Sequence, residues 1–351
     1  MRDERLKAVD FFCSGGGMSY GLHESGIDVI AGIDIDLTCK ETYEANIPNS
    51  KFIHADITKF NEEELLEHIN IQRDDNELVF IGCSPCQFWT IINTDKEKSK
   101  KSKNLLSDFE RFVNHYNPGY VVVENVPGIL SKKEESGIEE FINNLENKGY
   151  VVKYKIVNLN NYGVPQSRRR FSLIASRVDD SGIFPTEENF KPVVKDFIGI
   201  ENGFPKITAG HNDETDFIHT TAGLSKKNLE RISKTSINGG TRSDWSDTEL
   251  QLETYKKRKA NSFKDTYGRM FWDKPAPTIT TKFHSISNGR FGHPEENRAL
   301  SLREGATLQT FPKNFVFKSS SIGTTARIIG NAVPPEYARR IGEAILKAKN
   351  K

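Results

Sequence analysis

The sequence predicts an α/β fold: a mixed, mostly parallel, doubly wound sheet, with a smaller, irregular, β-rich domain after it. Three observations lead there. From Lys7 to Ala175, short β-type apolar runs alternate with stretches of helical spacing, as in βαβ units. From about Asp179 to about Glu296 the alternation stops, loops lengthen, and polar and basic residues dominate. At Arg298 order returns.

The elements follow in turn. Lys7 to Phe12 is a first strand, and Cys13-Ser14-Gly15-Gly16-Gly17-Met18 is a glycine turn into a helix from about Ser19. Glycines let a backbone approach a ligand, and a helix N-terminus offers free N–H groups, so this opening is Rossmann-like. It is neither Gly-x-Gly-x-x-Gly nor a P-loop, and a phosphate is not demanded. A plain tight turn is the alternative. A second strand, Val29 to Ile33, ends in Asp34-Ile35-Asp36, where Rossmann-like sites hold ribose hydroxyls. Asp34 suits the ribose and Asp36 suits an N-cap for a helix over Leu37 to Ala45. A third strand, Lys51 to His54, leads to Asp56-Ile57; Asp56 reaches a cofactor base or caps a helix near Glu62.

Glu77 to Ile81 is a buried strand that delivers Gly82-Cys83-Ser84-Pro85-Cys86-Gln87 at its carboxyl end. Pro85 stiffens the turn and gives Cys86 a defined direction. Three readings of the cysteines stay open here: a redox pair, half of a zinc site, or a buried Cys83 beside a reactive Cys86. A lysine-rich segment, Lys96 to Lys103, suited to phosphates, follows. Leu105 to His115 has helical spacing, and Tyr120 to Val123 is a strand ending at Glu124-Asn125-Val126. A carboxylate after three valines is costly unless used or paired. Helix Ile138 to Leu145 and strand Tyr150 to Leu159 precede Gln166-Ser167-Arg168-Arg169-Arg170, where residues 166, 168 and 170 share one side of an extended chain. Ser301 and Glu304 form a capping box for a helix. Gly330 to Pro335 is a turn into a last helix, Glu336 to Lys347.

Composition limits the partners. The 351 residues carry a net charge of +1, so nucleic-acid contact must come from local Lys and Arg clusters. Lys256 to Lys259, Arg269, Lys274, Lys282 and Arg290 supply them, with aromatic faces from Trp245, Phe271, Trp272 and Phe283. The 4 cysteines are too few for a disulfide scaffold. No apolar run approaches the ~18 residues of a membrane span, and the charged start predicts no signal peptide, so the expected compartment is the cytoplasm.

Together these segments resemble the cytosine-C5 DNA methyltransferases, over nearly the whole chain and in that family's order. The matches are Asp10 to Gly17, Asp34, Asp56-Ile57, Pro85-Cys86-Gln87, Glu124-Asn125-Val126, the set Gln166, Arg168 and Arg170, Arg303-Glu304 with Leu308-Gln309 and Phe311-Pro312, and Gly330-Asn331-Ala332-Val333-Pro334. The resemblance implies an S-adenosylmethionine-dependent catalytic domain at 1–184 plus 324–351 and a target-recognition domain at 185–323. It implies Cys86 as nucleophile, Glu124 against the base, Arg168 favouring the thiolate, Arg170 orienting Glu124, Asn125 holding the loop or Pro85, and Gln87 closing over the gap left by a flipped base. Phe12, Ser14, Gly15, Gly16, Gly17, Asp34, Ile35, Asp56, Ile57, Asn331 and Val333 would hold the cofactor; no metal is implied. The implied partner is double-stranded DNA, with a separate cognate restriction endonuclease in a bacterial or phage setting, and the implied state is a monomer. A tRNA cytosine methyltransferase on the same fold and a catalytically silent DNA-binding regulator are the alternatives. Two departures stand out. Ser14 replaces a usual glycine and fits if its φ is negative, and Phe88-Trp89-Thr90 is bulkier than the family's usual residues and alters the fit around the base.

Overall fold

A computed structural model describes residues 5–85, 105–131, 136–256, 265–319 and 321–350. Its main strands are β1 (Lys7–Phe11), β2 (Asp28–Asp34), β3 (Lys51–His54), β4 (Leu78–Gly82), β5 (Tyr120–Asn125), β6 (Val151–Asn158) and β8 (Arg169–Ser176), with β7 (Gln166–Ser167) and β9 (Ala276–Pro277) as a separate short pair. The main sheet runs β3-β2-β1-β4-β5-β8-β6. The first five strands pair in parallel, β8 is antiparallel to β5, and β6 is antiparallel to β8. The strand order reverses between β1 and β4, which opens a crevice at their carboxyl ends.

The chain divides into two compact units. The first comprises Met1–Tyr162, Arg169–Glu188 and Val333–Lys351; the second comprises Gly163–Arg168 and Asn189–Ala332. In the first, one face of the sheet buries Phe11, Phe80, Phe109, Phe112, Val121 and Leu173. Phe11 meets Phe80, Phe109 and Phe112 at ring-centroid distances of 5.2, 5.2 and 5.0 Å. The helices Gly17–Ser25 and Pro335–Lys349 pack against each other. Gly21 makes that approach close: a Cβ there would lie 2.2 Å from the Pro335 carbonyl oxygen. The segment 333–351 thus joins the first unit although it is last in sequence.

The second unit departs from the expected β-rich character. Among its described residues, strand structure is limited to the two-residue pair β7–β9 and isolated bridges at Arg269–Gly292 and Gly292–Ala299. Buried arginines occupy the backbone carbonyls. Arg269 donates to the carbonyls of Thr235 at 2.9 Å, Ile232 at 2.8 Å, His293 at 2.9 Å and Glu296 at 2.6 Å. Arg303 does the same for Phe217 at 2.7 Å, Asp216 at 3.0 Å, Pro312 at 3.2 Å and Phe315 at 2.9 Å. A guanidinium is a rigid fork of five donors, so one side chain satisfies several loop carbonyls that a ladder would otherwise serve. Ile232, Trp245, Leu250, Tyr267, Ile286 and Ala299 form a small core.

Several elements match the expectations within a residue or two, including β3 and the helix Leu105–Tyr116. The capping box is present: Ser301 Oγ accepts from the Glu304 amide at 3.1 Å, and Glu304 Oε2 accepts from the Ser301 amide at 2.8 Å. One reading is corrected: Gly330 and Asn331 are not in a turn but end a helix, Ile322–Asn331, capped by Ser321. Among the described residues no helix is long and apolar enough to cross a membrane.

Candidate active site

The site is built at the carboxyl ends of β1 to β5. After β1 the chain turns through left-handed conformations at Phe12 (φ 67°), Ser14 (φ 49°) and Gly16 (φ 89°). The negative φ expected of Ser14 is therefore not found. Its amide donates to Asp34 Oδ2 at 2.8 Å, which offsets the cost of left-handed backbone. Asp34 Oδ1 accepts from the Asp36 amide at 2.8 Å, so this carboxylate fastens the glycine turn to the end of β2. Asp36 is a cap: its Oδ1 accepts from the Thr38 amide at 3.1 Å. Asp56 closes its own turn through Thr58 rather than capping a helix near Glu62. Gly16 caps the helix Gly17–Ser25 with no side-chain hydrogen bond, and of the first-turn amides that of Ser19 is turned to the Asp10 carboxyl. Ile35 is 63% exposed beside Asp34, while Ile57 is buried.

Beneath the turn, Asp10 is fully buried. Ser19 Oγ donates to its Oδ2 at 2.6 Å, and Oδ1 has no hydrogen-bond partner. Burial pushes its pKa up to about 7. Burial, and then the Glu124 carboxylate, raise the Cys83 thiol well above its ordinary value, so it stays neutral at pH 7.

β4 leads into Cys83, Ser84 and Pro85, and the neighbouring β5 ends in Glu124 and Asn125. Asn125 Nδ2 donates to the Ser84 carbonyl at 3.3 Å and to Ser84 Oγ at 3.2 Å, while its Oδ1 accepts from the Val126 amide at 2.8 Å. It thus grips the residue before Pro85. Glu124 Oε1 lies 3.0 Å from Arg170 Nε, with both side chains largely buried. The N–H is not aimed at that oxygen, which accepts no hydrogen bond, so the contact is an ion pair only.

Burial alternates along Gln166 to Arg169 as the extended chain requires: Gln166 and Arg168 inside, Ser167 and Arg169 outside. Gln166 and Arg168 belong to the second unit and Arg170 to the first. Gln166 Nε2 donates to the Leu308 carbonyl at 3.0 Å, and its Oε1 accepts from the Ile279 amide at 3.0 Å. Arg168 donates to the carbonyls of Ile279 and Ala332, each at 3.1 Å. Asn331 is exposed in the second unit and Val333 is buried in the first. Cys86, Gln87, Phe88-Trp89-Thr90 and the Lys96 to Lys103 segment lie outside the described residues. Ser84 was given no site role from sequence, and Asp10 entered only as the start of the Asp10 to Gly17 match; its place as a lone acidic residue in the first apolar strand was the available signal.

This arrangement, a doubly wound sheet with its polar groups gathered at one end, agrees with the comparisons. The chain belongs to the C-5 cytosine-specific DNA methylase family, whose family model matches residues 6–347, and is a methyltransferase of that cytosine-5 class. It is 38% identical over 343 residues to the Type II methylase M.HgiDII of Herpetosiphon aurantiacus, covering 96% of this chain and 94% of the relative. It is 33% identical over 348 residues to the Type II methyltransferase M1.HphI of Haemophilus parahaemolyticus, covering 97% and 87%. The crystal structure of a prophage-encoded protein from E. coli, described as a DNA modification methyltransferase, shares the fold with a TM-score of 0.73 at 22% identity, over 99% of this chain and 100% of that one.

Proposed function

We propose that the chain methylates C5 of a cytosine flipped out of a specific duplex DNA sequence, through a covalent bond between Cys86 Sγ and C6 of the ring. The observation that carries this reading is the end of β5, where adjacent residues serve two purposes. Asn125 fixes the turn that leads to Cys86, and Glu124 offers a carboxyl paired with Arg170. C5 of cytosine is a poor nucleophile. Addition of a thiolate to C6 turns C5 into an enamine carbon, provided that ring charge is drawn off at N3 and the exocyclic amine. Glu124 is the group for that task and Arg170 sets its orientation. Arg168, buried in the second unit, is the candidate for favouring the Cys86 thiolate. Loss of the C5 proton then releases Cys86.

S-adenosylmethionine supplies the methyl group as a sulfonium electrophile. The residues at the ends of β1 to β3 fit it. The left-handed glycine turn and the helix N-terminus behind it suit its amino-acid part, with Phe12, Ser14, Gly15, Gly16 and Gly17 lining the approach. Asp34 takes the ribose, exposed Ile35 offers an apolar face to the adenine, Asp56 and Ile57 its edge, and Asn331 and Val333 are further candidates for contacts with the donor. Residues 1–184 plus 324–351 do the chemistry, and 185–323 read the target through groove contacts. The protein works as a monomer in the cytoplasm of a bacterial or phage-infected cell, modifying sites that a separate restriction endonuclease would cut. Incubating Cys86→Ser with labelled donor and duplex DNA tests the assignment: methyl transfer is lost and donor binding kept. Full activity in that variant ends it.

A further inference from the structure

Behind Glu124, three buried polar atoms share one defect. Glu124 Oε1, Ser172 Oγ and Tyr337 OH each have no hydrogen-bond partner of good geometry. Ser172 and Tyr337 are 0% exposed and Glu124 is 7% exposed. An orphaned buried polar group is costly, so three in one place require an account. They are neighbours. Glu124 sits directly opposite Ser172 across the antiparallel β5–β8 pair, so the two side chains share a face of the sheet. The hydroxyls of Tyr337 and Ser172 interact, and the charge of Glu124 acts on Tyr337. Tyr337 comes from the last helix and is steadied by a ring contact with Tyr162 at 5.2 Å. Among the described residues, Arg170 from β8 and Cys83 after β4 are further titratable or charged groups that face Glu124.

We propose that Ser172 and Tyr337 are positioning residues for the proton-transfer step, forming a chain in which the Tyr337 hydroxyl donates to Ser172 and the Ser172 hydroxyl donates to Glu124 Oε1. This rests on the role given to Glu124 above. The three oxygens make no hydrogen bonds of good geometry with one another as they stand, so forming the chain requires them to shift, after which each hydroxyl hydrogen rotates to suit its partner. The chain's direction follows from the carboxylate, which only accepts: Ser172 gives its single hydroxyl proton to Glu124, so its oxygen is left to accept from Tyr337, where burial keeps the phenol protonated. As Sγ adds to C6, the proton held by Glu124 passes to N3 of the ring and the carboxyl becomes a carboxylate. Hydrogen bonds to an ionised acceptor are about twice as strong as neutral ones, so the chain stabilises the transition state more than the ground state. With Oε1 engaged by Arg170 and the hydroxyls, the other oxygen is left to face the base.

The test compares Tyr337→Phe and Ser172→Ala with wild type, reading kcat against pH and calorimetric affinity for the donor. Without the donated hydrogen bond the carboxylate formed in the transition state is less stabilised. The basic limb of the profile then moves to higher pH, kcat falls about tenfold, and donor affinity and melting temperature stay as in wild type. Superimposable pH profiles with unchanged kcat in both variants overturn the proposal. Should Tyr337→Phe melt below wild type, Ser172→Ala decides by the same readouts. Glu124→Gln separates the two levels. Unchanged turnover there removes Glu124 from the chemistry, whereas an inactive Glu124→Gln beside wild-type profiles in the hydroxyl variants removes only the chain.

Discussion

Asp10 and Glu304 are both carboxylates without solvent exposure, and their surroundings push them in opposite directions. Asp10 is raised to about 7, chiefly by burial, with the Asp34 charge adding and the Ser19 hydrogen bond opposing. Glu304 is equally buried, but Arg298 brings it down to about 2 through hydrogen bonds of 2.7 and 2.8 Å. The consequences for stability have opposite signs. Folded Asp10 holds its proton more tightly than the unfolded chain does, so its contribution is complete below about pH 4 and lost as pH rises to about 7. Asp10→Asn removes that dependence, worth at most about 4 kcal/mol, and thermal melts between pH 4 and 8 should show a flatter profile. Glu304 contributes above its unfolded pKa and loses that contribution as pH falls towards 2. Glu304→Ala strands Arg298 in the interior and should cost about 3–5 kcal/mol near neutral pH, read by urea unfolding. From sequence, Glu304 was legible as a helix cap; its pairing with Arg298 was not, because that contact depends on how a loop folds back. The oddity of Glu124 after three valines was visible, whereas its neighbours Ser172 and Tyr337 meet it only through strand pairing and helix docking.

Elements with a strong period or a local cap were the most legible. The strands β1 to β5, the Ser301 cap and the proline-led last helix all announce themselves in short windows of sequence. The helix Ile322–Asn331 did not, because its C-terminal Gly330-Asn331 reads as a turn. Gly330 is there for space: a Cβ would sit 2.4 Å from the backbone of Thr280 and Thr281. The same logic applies to Gly21 on the first helix, where the obstacle is the rigid backbone of Pro335. Gly21→Ala should lower stability by about 1–3 kcal/mol through overpacking, seen as a lower urea midpoint with unchanged slope. An unaltered midpoint would mean that the helices slide apart at no cost.

Across the molecule, periodicity stops near Asp179, while the two compact units also exchange Gly163–Arg168 and carry the second unit on to Ala332, which no local pattern announces. Among its described residues, the second unit does not show the β-rich character expected of it. Periodicity cannot show that Arg269 and Arg303 would serve the loop carbonyls in place of strands. Those arginines also leave fewer free cations than the sequence count suggests. With a net charge of +1, DNA affinity must then rest on local clusters of exposed Lys and Arg rather than on a global field. A plot of log affinity against log salt should be linear, with a slope of about −0.9 per neutralised phosphate.

The central claim is a bond between Cys86 and the target cytosine. Duplex DNA carrying 5-fluorocytosine at the methylated position, once bisulfite sequencing has located it, tests this directly. Fluorine at C5 cannot leave as a proton, so the enzyme stays attached after methyl transfer. Denaturing electrophoresis with mass analysis should show a protein–DNA adduct at Cys86 that forms only with S-adenosylmethionine present and is absent in Cys86→Ser. Normal methylation of ordinary cytosine with no adduct on the fluorinated duplex, or an adduct at another residue, would contradict the account.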